Sequence, residues 1–146
     1  MSNTYLAING EADNWEEAIT QCGEALKAAG CIGDAFTPAC IKREKEFPTG
    51  LPSDVPVAIP HSKTEDIFKN AVCLLRLKKP VKFYRMDSDD EYVNTRLVMN
   101  IAINDNDNHV DFLQHLMGVV TDSEKMENCM AMPIEAIPGY LAQIIE

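Results

Sequence analysis

The sequence predicts an α/β fold, a sandwich in which helices cover both faces of a β-sheet. Residues 71–77 and 95–103 are nearly continuous apolar runs, which are typical of strands buried on both faces. Amphipathic helical patterns precede and follow these runs, so the sheet has helices available to cover it. The 146 residues suit one domain, residues 1–146, and at this length roughly 70% of the unfolded chain's surface can be buried.

The first helix is expected to begin at Trp15 and to end close to Gly30. Its apolar residues recur at the i, i+3, i+4 and i+7 positions of one face, namely Trp15, Ala18, Ile19, Cys22, Ala25, Leu26 and Ala29. Asn14 can cap its start, with Glu17 three residues later. Gly30 can close it, because glycine readily adopts the left-handed conformation that ends many helices.

The second helix is expected to open with Thr37 as its N-cap and Pro38 as its first residue. It should end near Glu46, before a loop at 47–52 that contains two prolines and a glycine. A start at Asp34 is the less favoured alternative, because Pro38 would then lie inside the helix.

The strands are expected after this loop, and the remaining helices after the strands. The segments expected in strands are 55–59, which Pro60 ends, and then 71–77, 81–84 and 95–103, with polar turns or loops at 87–91 and 104–108. Helical patterns cover 109–120, 123–130 and 134–145. The predicted order is therefore helix, helix, strands and helices.

The composition excludes several classes of function. A net charge of −10 argues against nucleic acid and against anionic lipid, both of which require a basic surface. A bound phosphate would therefore need a locally positive pocket. No segment has the length of a membrane span or the pattern of a secretory signal, so we expect a cytoplasmic protein without direct membrane insertion. The cysteines show no C-x-x-C or zinc-like spacing and are expected to be free thiols: Cys22, Cys31, Cys40, Cys73 and Cys129.

His61 is the first candidate functional residue. It follows the short strand at 55–59 directly behind Pro60, which cannot continue the hydrogen-bond ladder and has a fixed φ. Such a histidine should lie at the edge of the sheet, where open α/β sheets bind ligands. A histidine that only satisfies the end of a strand is the simpler structural alternative for this segment alone.

The residues from Arg43 to His61 carry a family resemblance. Arg-Glu-Lys-Glu-Phe-Pro-Thr-Gly-Leu at 43–51 and Ala-Ile-Pro-His at 58–61 resemble the R-E-x-x-x-P-T-G-L…A-I-P-H signature of the mannitol/fructose-type enzyme IIA (EIIA) family of the sugar phosphotransferase system. The spacer at 52–56 and the free-standing length are similar to the galactitol-type branch. The resemblance implies a single EIIA domain with a mixed β-sheet and helices on both faces.

The resemblance also implies a function, a phosphotransferase component that needs no metal or cofactor. In such proteins the histidine of the A-I-P-H motif accepts a phosphoryl group from phospho-HPr and passes it to a cysteine of the IIB component, which serves a membrane IIC permease. His61 would then be the phosphoacceptor and Arg43 the phosphate-binding arginine. His109, at the start of a predicted helix, matches a second active-site histidine that galactitol-type members need not keep.

The chemistry of these residue types agrees with the implied roles. Imidazole is partly unprotonated near neutral pH and forms a labile N–P bond, which suits a relay. Arg43 offers a planar set of donors for phosphate oxygens. Backbone N–H groups at the start of the His109 helix could add donors. An apolar rim for transient partners is expected from Phe47, Leu51 and Phe112.

Three other readings stay open at this point. The first is a regulatory IIA-like phosphohistidine protein that feeds no permease. The second is a non-catalytic module that grips an anion with His61 and Arg43. The third, a metal hydrolase using His61, His109 and Asp105 or Asp107, is disfavoured because no H-x-x-x-H ligand pair is present. His115 is expected to be structural or solvent-facing.

Overall fold

A computed structural model describes residues 3–104 and 109–146, and of residues 109–111 it describes the backbone only. The helices and strands follow in the order β1 (Thr4–Gly10), α1 (Trp15–Ala28), α2 (Phe36–Glu46), β2 (Gly50–Leu51), β3 (Val57–Ala58), β4 (Ala71–Tyr84), β5 (Tyr92–Ala102), α3 (His109–Val120), α4 (Ser123–Ala131), a 3₁₀ turn (Ile134–Ala136) and α5 (Ile137–Ile145).

Within the described ranges, five strands form one mixed sheet in the order β1-β4-β5-β3-β2. The β1–β4 and β3–β5 pairs are parallel, and the β4–β5 and β2–β3 pairs are antiparallel. One hydrophobic core lies between the sheet and the first two helices, and the other lies between the sheet and the last three. The predicted α/β sandwich with helices on both faces is therefore confirmed.

Successive side chains of β4 pack alternately into the two hydrophobic cores. Cys73 and Leu75 belong to the core on the α1 side, whereas Val72 and Leu74 belong to the core on the α3–α5 side. All four are completely buried. Consecutive apolar residues are needed because successive side chains of a strand point to opposite faces.

Helix α1 has the predicted caps. The Asn14 side chain accepts a hydrogen bond from the Glu17 backbone N–H at 2.9 Å, and the Glu17 carboxylate accepts one from the Asp13 N–H at 3.0 Å. Gly30 follows the helix with φ of 77°, the left-handed conformation that only glycine adopts without strain.

The predicted start of α2 is wrong. The helix begins at Phe36, and its first N–H groups are capped from a distant loop, because the Asp66 carboxylate accepts from the backbone N–H of Ala35 at 2.7 Å and of Phe36 at 3.1 Å. Pro38 is therefore the third helical residue. It is tolerated there because the first turn of a helix makes no internal use of its N–H groups.

Three other expectations about strands are corrected. The predicted order missed β1, which opens the chain and pairs with β4 in parallel. The loop expected at 47–52 contains β2. The two strands expected at 71–77 and 81–84 are one strand, β4, with a register shift between Arg76 and Val81.

The cysteines are free thiols as predicted, and all five are buried. None of the helices that the structure describes combines the length and the apolar character needed to cross a bilayer.

Candidate functional site

The structure places His61 at the end of the short strand β3, next to β5. Beyond Ala58 the chain continues alongside β5, so that the Ile101 N–H donates to the Pro60 carbonyl at 3.0 Å and His61 forms a parallel bridge with Ile101. The side chain of His61 is half-buried. Its position on the sheet therefore depends on pairing with a strand far along the chain.

One ring nitrogen of His61 is held by the backbone. Nδ1 lies 2.8 Å from the carbonyl oxygen of Ile59, two residues earlier. A carbonyl can only accept, so the Nδ1 atom must carry the proton of this hydrogen bond. In the neutral imidazole the lone pair then resides on Nε2, which makes Nε2 the nucleophilic atom.

Arg43 shares a cleft with His61. The guanidinium lies in the last turn of α2, exposed, and sits 5.4 Å from the centre of the Phe47 ring. Within the described part of the chain no carboxylate forms an ion pair with Arg43, so its donors can serve an anion. The cleft has a volume of about 740 Å³ and is lined by Arg43, Glu46, Phe47, Pro48, Thr49, His61, Met86, Asp87, Ser88 and Asp89. The structure therefore brings the two predicted residues together.

The third predicted site residue is His109. Helix α3 begins at His109, as the sequence indicates, but the side chain of His109 lies outside the described residues. His115 is exposed on the same helix. Among the described residues no group of His, Cys, Asp and Glu could hold a metal ion, while Asp105 and Asp107 lie outside them.

Two residues that the sequence analysis left without a role, Glu44 and Thr49, support the backbone next to His61. Glu44 is only 4% exposed, and its two carboxylate oxygens accept from the Thr49 backbone N–H and the Thr49 hydroxyl, both at 2.8 Å. The Thr49 hydroxyl oxygen in turn accepts from the Ile59 N–H at 3.1 Å. This series of bonds connects the end of α2 to the residue whose carbonyl holds His61.

Burial raises the pKa of Glu44 to about 7, although the hydrogen bonds from Thr49 and the charge of Arg43 act in the opposite direction. A signal for this buried carboxyl exists in the sequence. Phe36, Cys40 and Glu44 are spaced four residues apart, and they are the buried residues of α2. An acidic residue on the apolar stripe of a helix indicates a specific partner in the core.

Asn100 of β5 supports the other side of the same backbone. It is fully buried, and its amide donates to the Pro60 carbonyl at 3.0 Å and to the Cys40 sulfur at 3.6 Å. Its side-chain oxygen has no hydrogen-bond partner among the described residues. Burial raises the pKa of the Cys40 thiol to about 12, so this thiol stays protonated as it accepts from Asn100.

The hairpin that joins β4 and β5 forms the opposite wall of the cleft. Its Met86 N–H donates to the Gly50 carbonyl at 3.0 Å. A Cβ atom at Gly50 would lie 2.6 Å from the Tyr84 carbonyl oxygen, so only glycine allows this approach. The glycine of the Pro-Thr-Gly segment therefore brings Met86, Asp87, Ser88 and Asp89 beside His61.

The expected apolar rim is only partly present. Phe47 lines the cleft and is 60% exposed, but Leu51 is 5% exposed and belongs to the core, which removes it from the rim. Phe112 packs against that core and is half-buried. Met86, which the sequence did not indicate, lines the cleft at 42% exposure.

The chain is similar to known proteins in both sequence and fold. The sequence model of the family described as "Phosphoenolpyruvate-dependent sugar phosphotransferase system, EIIA 2" matches residues 1–142. The galactitol-specific EIIA component of Escherichia coli K12 is 26% identical, over 99% of this chain and 97% of that protein.

Two solved structures have the same fold over almost the whole chain. The crystal structure of IIA mannitol from Escherichia coli matches with a TM-score of 0.73 and 25% identity, over 94% of this chain and 95% of that one. The complex of enzyme IIA and phosphorylated enzyme IIB for mannitol from Escherichia coli matches with a TM-score of 0.74 and 24% identity, over 98% of this chain and 96% of that one. The implied mixed-sheet sandwich of the mannitol-type proteins is thereby confirmed.

Proposed function

Because the chain belongs to the EIIA 2 family of the phosphoenolpyruvate-dependent sugar phosphotransferase system, and is thus a phosphotransferase component, we propose that it carries the phosphoryl group on Nε2 of His61. The observation that supports this choice most strongly is the 2.8 Å contact between His61 Nδ1 and the Ile59 carbonyl. This contact orients the ring and leaves the lone pair on the other nitrogen. A neutral imidazole with one oriented lone pair is suited to accept and release a phosphoryl group.

Arg43 is proposed to neutralise the incoming phosphoryl group. Transfer of a phosphoryl group depends mainly on positioning and on charge stabilisation, and this protein has a net charge of −10. Arg43 lines the cleft with His61, and a guanidinium can donate to two phosphate oxygens at once. His109 and the backbone N–H groups at the start of α3 are proposed as further donors.

The proposed donor is phospho-HPr, and the proposed acceptor is a cysteine of a IIB component. In the first step the Nε2 lone pair attacks phosphorus, the new N–P bond forms, and the donor nitrogen leaves with the electron pair of the broken bond. In the second step the cysteine thiolate attacks, an S–P bond forms, and His61 recovers its lone pair. Neither step loses the phosphoryl group to water. A partner docked over the cleft would exclude water from the reacting atoms.

We further propose that residues 1–146 act as one EIIA domain in the cytoplasm and that the IIB partner serves a membrane IIC permease. The similarity to galactitol-specific EIIA supports a sugar-uptake role in preference to a purely regulatory one. Both partners would meet the chain at the His61 cleft, so the two must bind in turn.

Incubation with phosphoenolpyruvate, enzyme I and HPr tests this proposal. We expect an acid-labile, base-stable phosphate that maps to His61 and that is lost in His61→Ala. His115→Ala is the matched control, because this histidine is exposed on α3 and should leave the labelling unchanged. Absence of acid-labile phosphate from the wild-type protein would instead favour a module that binds an anion without transferring it.

A further inference from the structure

The Ile59 carbonyl that holds His61 is itself fixed from both sides. On the side toward the N-terminus, the Ile59 N–H donates to the Thr49 hydroxyl oxygen at 3.1 Å. On the other side, the Pro60 carbonyl accepts from the Ile101 N–H and from the Asn100 amide, each at 3.0 Å. Pro60 also has a fixed φ. The carbonyl between these two anchored points is therefore directed at His61 Nδ1.

The charge of Glu44 determines the direction of the hydrogen bonds on the Thr49 side. A hydroxyl can donate or accept, so a threonine alone does not specify which it does. An ionised carboxylate can only accept, and Glu44 lies 2.8 Å from the Thr49 hydroxyl. Above the pKa of Glu44, about 7, the hydroxyl proton must therefore point to Glu44, which leaves the oxygen lone pairs of Thr49 to accept the N–H of Ile59.

Burying the Glu44 carboxyl lowers the stability of the fold unless its interactions compensate for the loss of water. Glu44 is 4% exposed and forms no described ion pair, so the fold bears the cost of removing an acid from water. An apolar residue at this position of α2 would fill the same space without that cost. An apolar residue, however, could not accept a hydrogen bond from the Thr49 hydroxyl and so could not fix that hydroxyl as a donor.

We propose that Glu44 and Thr49 are positioning residues for His61, which act through the backbone of Ile59 to keep the proton of the imidazole on Nδ1 and the nucleophilic lone pair on Nε2. This inference rests on the proposed function, because it assigns a purpose to the Nε2 lone pair. Neither side chain is proposed to touch the phosphoryl group. Their effect passes through three successive hydrogen bonds, of 2.8, 3.1 and 2.8 Å.

The decisive variant is Thr49→Val, which keeps the shape of the side chain and removes the hydroxyl. The measurements are made at pH 8, where Glu44 is ionised. The first readout is the tautomer of His61, from ¹⁵N NMR of the neutral imidazole with the signals identified by their loss in His61→Ala. The second is the single-turnover rate of phosphorylation by phospho-HPr. We expect the variant to populate both tautomers and to accept phosphate about tenfold to a hundredfold more slowly, because the nucleophile is misoriented. Thr49→Ser, which restores the hydroxyl, should recover the wild-type tautomer and most of the rate.

Two further variants separate positioning from a general loss of stability. Thr95→Val is the matched control, because Thr95 is a second buried threonine, and among the described residues its hydroxyl bonds only to the backbone of Pro56 and Leu97. It should lose stability without a change in the His61 tautomer. Glu44→Gln should shift the tautomer as Thr49→Val does, since an amide group can donate toward Thr49. If Thr49→Val does not fold, the His61 tautomer and the phosphorylation rate of Glu44→Gln test the positioning role in its place.

The inference is overturned if Thr49→Val, or Glu44→Gln in its place, shows the wild-type tautomer, or if Thr95→Val shifts it equally. The tautomer is measured in the absence of phosphate, so this test is independent of the proposed function. If the wild-type protein accepts no phosphate, the proposed function fails while the tautomer still reports on Thr49. If it accepts phosphate and the variants keep its tautomer and rate, only the positioning role fails.

Discussion

The buried carboxyl of Glu44 should make the stability of the fold depend on pH close to neutrality. Its pKa is raised from the ordinary value of 4.5 to about 7, chiefly by burial. An acid with a higher pKa in the folded state binds its proton more tightly when folded. Its contribution to stability is therefore fully present below about pH 4.5, is lost as the pH rises toward 7, and changes little above that.

The size of the effect follows from the difference between the two pKa values. At 1.36 kcal/mol per pH unit, a change from 4.5 to about 7 corresponds to about 3 kcal/mol of unfolding free energy. Solvent screening is weak because Glu44 is only 4% exposed. Burial raises the pKa of the neighbouring Cys40 thiol to about 12, so this thiol stays neutral throughout this range.

Urea unfolding of the wild-type protein and of Glu44→Gln, at intervals from pH 5 to pH 8, measures this effect. We expect the stability of the wild type relative to the variant to fall by about 2–3 kcal/mol over this interval, most of it below pH 7. Glu46→Gln is the matched control in the same helix, because that side chain is exposed and is solvated in both states. A difference between wild type and Glu44→Gln that stays constant with pH would refute the reasoning. The Thr49 bonds would then keep the carboxyl ionised throughout.

Three other changes have expected outcomes. Arg43→Ala should slow phosphorylation of His61 by about a hundredfold or more, while the unfolding free energy changes by less than about 1 kcal/mol because the residue is exposed; an unchanged rate would remove Arg43 from the site. Gly50→Ala should lower the free energy of unfolding in urea by about 2–3 kcal/mol, because the new Cβ atom would lie 2.6 Å from the Tyr84 carbonyl oxygen. Gly139→Ala is the control variant, because a Cβ atom there meets open space. Asp66→Ala should cost about 1 kcal/mol and loosen the start of α2 in hydrogen exchange, since two N–H groups lose their acceptor; protection equal to wild type would contradict this capping role.

The parts of the fold that were predictable depend on neighbours in sequence. The caps of α1 connect residues a few positions apart, and its buried face follows from helical spacing. The strands at 71–77 and 95–103 were predictable because burial on both faces requires continuous apolar residues. Strand β1 was not, because it is defined by pairing Thr4 with Ala71 rather than by its own pattern.

The same distinction applies to the site. His61 and Arg43 were identified from the sequence, and the structure places them in one cleft. The hydrogen bonds that extend from Glu44 could not be predicted from the same motif, because its partner Thr49 accepts from Ile59 ten positions later. The contact of Asn100 could not be predicted from its neighbours in sequence, because its amide donates to the Pro60 carbonyl, 40 positions away.

The sequence by itself determined the α/β class, the first helix with its caps, the family of the chain and the histidine and arginine of the candidate site. These features arise from interactions between residues that are close along the chain, or from a motif that is continuous in it. Only the tertiary structure decided where the edge strand pairs, how Asp66 starts α2, and which buried side chains hold the Ile59 carbonyl against His61. Each of these is a hydrogen bond between segments that come together only when the hydrophobic cores form, and so leaves no local pattern in the sequence.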